Sequence, residues 1–233
     1  MTDEAAIHFL WILAAAGTGF SSAALFAGVL RMRRQTYLVP YIVLSTFLIA
    51  GYLLWSEANL EDLLIDNLLW GIAGALIIGA LMVMNVLKQP ASPRLHGWGL
   101  AADMTWSGAV YGVVDALLLA VIPVLATKNA FSELGWSTDI SSQLAVGLTA
   151  IATCVLVTVA YHLGYPEFRN SSVRFPALGM AVSAAGYLVA SNPFAAIGSH
   201  VMMHIAVVAH GTEKTLQLPP HYAPIDREGR KSP

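Results

Sequence analysis

Charge is what this chain has least of. Of its 233 residues only 11% are Asp, Glu, Lys or Arg, against about 25% in an ordinary soluble domain, and 57% are hydrophobic. With a mean hydropathy of +0.65, that shortage excludes a disordered chain, a soluble enzyme and a nucleic-acid binder, whose basic stripe is missing. Cysteine is almost absent. Cys154 stands alone, so no intrachain disulfide can form, and its place in an apolar run points to a small packed residue. No Gly-rich phosphate loop and no internal repeat is visible, which leaves an inverted-repeat transporter without support. What remains is an all-α integral membrane protein.

A spanning helix needs about 20 mostly apolar residues. Seven such runs are present, approximately Ala5–Leu30, Tyr37–Trp55, Asp66–Leu87, Met104–Thr127, Ile140–Gly164, Phe175–Ala190 and Pro193–His210. The stretch from Phe175 to Thr212 carries no charge, but Asn192-Pro193 in its middle predicts two helices and a tight turn. The expected fold is a polytopic seven-transmembrane-helix bundle over residues 1–212, with a polar tail over 213–233.

Basic residues are retained on the cytoplasmic side. An outside N-terminus places Arg31, Arg33, Arg34, Lys88, Arg94, Arg169, Arg174, Lys214, Arg227, Arg230 and Lys231 inside, eleven of the twelve basic residues; only Lys128 falls outside. The expected orientation is therefore N-out and C-in, in the cell membrane. Trp55, Trp70 and Trp136 mark the outer interface, and Trp98 and Trp106 the inner one. The acidic start Met-Thr-Asp-Glu argues against a cleaved signal peptide. Small residues at four-residue spacing, Gly71/Ala75/Gly79 and Gly108/Gly112/Ala116, predict close helix packing within the bundle.

Ionisable groups inside hydrocarbon are costly, about 2.5–3.5 kcal/mol for Asp at a helix centre. Asp115 is the only acid deep in a span. Ser107, Tyr111 and Asp115 recur every four residues and are expected on one helix face. Asp115 can act as protonated glue between helices, or as a ligand, proton-relay or catalytic group. His200-x-x-x-His204 places two imidazoles on one face of the last span. Together with Asp115 they form a candidate zinc set with a position open for water; equally, two packed histidines could bond backbone or Tyr111. His162 and His210 share the cytoplasmic depth and are candidate ligands of a b-type haem, or interfacial residues. They are expected to form a cluster separate from His200 and His204.

The last span contains no lysine, so no retinal Schiff base is expected. The His200-x-x-x-His204 motif, with Asp115 and Ser107, resembles the seven-helix membrane hydrolases that include the alkaline ceramidases and the progestin and adipoQ receptors. That resemblance implies a zinc-dependent hydrolase acting on a lipid-like substrate, although here no histidine occurs in spans 2 or 3 and the Asp is in span 4. Tyr111-Gly-x-x-Asp115, the Tyr161-to-Arg169 corner and the His-rich last span also look like a bacterial membrane-protein family without assigned activity. Three functions follow as expectations. The first is metal-assisted hydrolysis, with Tyr111 or Ser107 donating to the oxyanion. The second is a haem-binding redox subunit. The third is a non-enzymatic transporter, channel or assembly subunit.

Overall fold

A computed structural model of the chain describes residues 2–136 and 139–211. Among these residues 85% are helical and none is in a strand. The helices are α1 (Asp3–Val29), α2 (Arg34–Trp55), a short surface helix α3 (Leu60–Ile65), α4 (Leu68–Leu87), α5 (Gly97–Glu133), α6 (Ile140–Leu163), α7 (Arg174–Ala190) and α8 (Phe194–His210). Six are long and apolar enough to cross a membrane, α7 with its preceding turn included; α8, at 17 residues, is shorter but equally apolar. The expected tail, 213–233, lies outside the described residues.

Local chemistry sets the helix ends. The Thr2 hydroxyl accepts from the Ala5 amide at 3.2 Å to start α1, and Asp139 accepts from the Ser142 amide at 2.9 Å to start α6. The Asn192 region forms the expected tight turn between α7 and α8, with Ser191 left-handed at φ 50°. Buried Asn192 does more than turn the chain. Its amide nitrogen donates to the carbonyls of Leu64 at 3.1 Å and Asp66 at 2.8 Å, and its Oδ1 accepts from Phe194 N at 2.9 Å. The turn is thereby tied to the α3–α4 junction.

α5 is the central helix: 67% of its most apolar stretch is buried, against 28% for each of the other five long helices. It is longer than the expected Met104–Thr127. Its polar end stays helical because the bundle satisfies it. Thr127 bonds Thr153 at 3.0 Å, and Asn129 donates to the Tyr52 hydroxyl at 3.2 Å. α5 also changes gauge twice, with π-helical segments at Met104–Val110 and Leu117–Val121. The second lies just ahead of Pro123, which has no amide hydrogen to give the preceding turn.

The small-residue stripes pack within the chain. A Cβ on Gly112 would stand 3.1 Å from Val201 Cα and 3.2 Å from His204 Cδ2, and one on Gly108 3.0 Å from Ile205 Cγ1. α5 and α8 therefore touch backbone to side chain. Gly79 and Ala75 of α4 face Met202 and Gly198 of α8 in the same way. Cys154 is buried, its thiol 3.5 Å from the Ala120 carbonyl.

Candidate functional site

A cavity of about 520 Å³ opens among α4, α5, α6, α7 and α8. One side is apolar, with Ile78, Leu81, Met82, Leu178, Met180 and Met203. The other carries Asp115, His200, His204 and His162 together with Tyr111, Tyr161 and Tyr165. An apolar pocket with a few convergent polar groups is the usual form of a small-molecule site.

Asp115 sits in the α-helical stretch Tyr111–Ala116 between the two π segments of α5. Such wide turns recur at functional positions. Its Oδ1 accepts from the Tyr41 hydroxyl at 2.8 Å. Its Oδ2 lies 3.7 Å from His204 Nε2. His204 is 1% exposed, and neither of its ring nitrogens has a hydrogen-bond partner. A buried polar atom without a hydrogen bond costs about 1–3 kcal/mol, and the nearest charge to this imidazole is the Asp115 carboxylate. The Tyr111 ring packs on the His204 ring, centroids 4.8 Å apart. His200, one turn away, has its Nδ1 3.3 Å from the Ala196 carbonyl, and its ring centroid is 6.0 Å from that of His204. Among the described residues no three His, Cys, Asp or Glu side chains converge as a ready metal site.

Behind Asp115 lies a cluster of buried tyrosines, of which only Tyr111 was expected at the site. The Tyr165 hydroxyl is 2.6 Å from that of Tyr37 and 2.7 Å from that of Tyr161, and Tyr161 is 3.0 Å from Tyr111. Tyr41 stacks on both Tyr37 and Tyr161. Burial, with Tyr37 adding to it, pushes the Tyr165 phenol well above its usual range, so this hydroxyl stays a donor. The available signal was the spacing: Tyr37-x-x-x-Tyr41 and Tyr161-x-x-x-Tyr165 each put two hydroxyls on one helix face.

Three sequence expectations change. Ser107 does not join Asp115: its hydroxyl donates to Asp103 Oδ1 at 2.6 Å, and it is not part of the cavity wall. The π segment Met104–Val110 breaks the four-residue register that put Ser107, Tyr111 and Asp115 on one face. His162 is not in a separate cluster but lines the same cavity as His200 and His204. His210 does not share that cavity; its Nε2 is bound at 2.7 Å to the Gln89 carbonyl. The His162–His210 haem pair is therefore not assembled: His162 Nδ1 lies 2.8 Å from the Thr158 carbonyl, and His210 serves the α4–α5 connection.

No protein-family model, no curated protein and no solved structure matches the chain.

Proposed function

We propose that this is a seven-span integral protein of the cell membrane, N-terminus outside and C-terminus cytoplasmic, that binds a lipid-like molecule in the central cavity and hydrolyses it there. α8 counts as the seventh span: at about 1.5 Å per residue its 17 residues nearly cross a core of about 30 Å. The basic residues Arg31, Arg33, Arg34, Lys88 and Arg94 then fall on one side.

The observation that carries the activity is the buried imidazole of His204, free of hydrogen bonds, beside the Asp115 carboxylate in a largely apolar cavity. A zinc ion would be held by His204 Nε2 and Asp115 Oδ2. These two atoms lie 3.7 Å apart, and both residues line the cavity. His200, one turn away with its Nδ1 on the Ala196 carbonyl, does not converge with these two and would have to turn its ring to become a third ligand. When bound, the metal supplies a water of lowered pKa and polarises a carbonyl. The chain's own groups do the rest. Tyr41 fixes the carboxylate by donating to Oδ1, Tyr111 is the candidate donor to the developing oxyanion, and the apolar wall holds the chain and excludes water.

A second reading has an observation of its own. The hydroxyls of Tyr111, Tyr161, Tyr165 and Tyr37 form a continuous hydrogen-bonded series, which suits a proton relay ending near Asp115 in a non-enzymatic carrier.

Metal content and lipid-amide hydrolysis of detergent-purified protein separate the two. The hydrolase reading expects bound zinc and turnover, both lost in His204→Ala. Protein free of metal and inactive, but carrying proton flux in vesicles that Tyr161→Phe abolishes, favours the relay.

A further inference from the structure

The cavity has a side door. Several of the residues that line it are also on the outer surface of the bundle: Leu81 of α4 is 54% exposed, and Leu178 of α7 is 66% exposed. Phe175 and Val182 of α7 are both wall residues and surface residues as well. A residue can line a cavity and face outward only at its rim. The gap between α4 and α7 is therefore a mouth that opens sideways. Gly179 keeps it open: a Cβ there would have Met82 Cε, at 3.9 Å, as its one close neighbour.

The mouth has a definite depth. Leu81 is six residues before the end of α4 at Leu87, and Leu178 four residues after the start of α7 at Arg174. At 1.5 Å per residue these sit roughly 6–9 Å in from the same membrane face. That face is the cytoplasmic one in the orientation given by the basic residues. The mouth thus meets acyl chains of the inner leaflet rather than water, and its rim is apolar to match.

Size and polarity limit what can pass. A volume of about 520 Å³ lies in the range of about 300–1,000 Å³ that holds one small molecule. At roughly 30 Å³ for each water-sized or methylene-sized unit it has room for about 17 units, a polar head with most of one chain, so a second chain would have to stay outside the mouth. The polar side offers the His204 imidazole, whose nitrogens make no hydrogen bond, with His200, His162 and tyrosine hydroxyls, so a head with both donor and acceptor atoms is matched.

We infer that the ligand is a single-chain acyl amphiphile that enters laterally from the inner leaflet between α4 and α7, head first toward Asp115 and His204, with its tail left in the mouth. This rests on the hydrolase reading for what happens to the head, but access and occupancy are separate from turnover.

The test uses full-length protein in vesicles with a palmitoyl ethanolamide that bears a diazirine at mid-chain. Photolabelling is expected on the α4 and α7 peptides containing Leu81, Met82, Leu178 and Val182. It should be lost in Gly179→Trp and increased in Leu178→Ala, and a diacyl phospholipid carrying the same diazirine should not compete. Label confined to other helices, or Leu178→Ala labelled no better than wild type, overturns the lateral mouth; the latter holds even where Gly179→Trp fails to fold. Equal competition by the diacyl lipid overturns the single-chain assignment. Asp115→Asn separates the two proposals. Mouth labelling retained in this variant and in wild type, with no turnover of the ethanolamide by wild type, removes the hydrolase reading and leaves the mouth standing.

Discussion

His204 Nε2 and Asp115 Oδ2 face each other across 3.7 Å, from two helices whose approach is set by Gly112 one turn away. The pair is too far apart for a hydrogen bond and too close for lipid or a side chain to intervene. Gly112→Val should force α8 away from α5, since the first added carbon already meets Val201 and His204 Cδ2 at 3.1–3.2 Å. A loss of about 1–3 kcal/mol of stability is expected from such overpacking, read as a lower melting temperature in detergent, together with loss of any bound metal.

Tyr41 reaches Asp115 from α2, and its hydroxyl donates to the carboxylate at 2.8 Å. Tyr41→Phe leaves the ring stacking intact and removes only that donor. The expected cost is about 1–3 kcal/mol, the penalty for a buried acceptor stripped of its partner. Chemical denaturation of the variant alongside Tyr41→Leu checks this: a Phe variant as stable as wild type means the hydroxyl contributes nothing.

Asn192 makes three hydrogen bonds at one turn. Asn192→Ala should free the α3–α4 junction and cost about 1 kcal/mol, because two carbonyls and an amide lose a partner at a part-buried place where water can replace some of the bonding. Hydrogen exchange at Phe194 and at residues 64–68 should rise while α1 and α6 stay protected. Unchanged exchange there would mean that water replaces the amide fully.

Orientation is testable with single cysteines in a Cys154→Ala background. His96→Cys, before α5, should react with a membrane-impermeant maleimide only after the cell is opened, and Glu61→Cys, on α3, in intact cells. The reverse pattern inverts the bundle and moves the lateral mouth to the outer leaflet.

The parts of this molecule written in charge and hydropathy were legible without coordinates. Apolar run lengths located the helices, and Asp115 and His204 stood out because a titratable group inside an apolar run has no solvent to satisfy it. The parts written in helix phase were not. Ser107 looked like a neighbour of Asp115 at 100° per residue, but a π segment rewinds the helix between them. Of the tyrosines only Tyr111 stood out, and the cluster it joins was invisible for a different reason. Tyr37, Tyr41, Tyr111, Tyr161 and Tyr165 come from α2, α5, α6 and the turn after α6, and a phenol in a membrane helix reads as ordinary packing until its hydroxyl partners are known. His162 was assigned by depth alone, whereas the cavity is tall enough to reach it.

The Asn192 bond set has a mechanical meaning for the mouth. It pins α4, α7 and α8 together at the end where α7 turns into α8, so these helices share a fixed hinge there. The rim at Leu81, Met82, Leu178 and Gly179 lies toward the opposite ends of α4 and α7. Any widening between α4 and α7 is then a splaying from one end, as of two rods bolted at the top. Its amplitude grows with distance from the bolt, greatest at the lower rim and least at Gly71, which packs against Asn192.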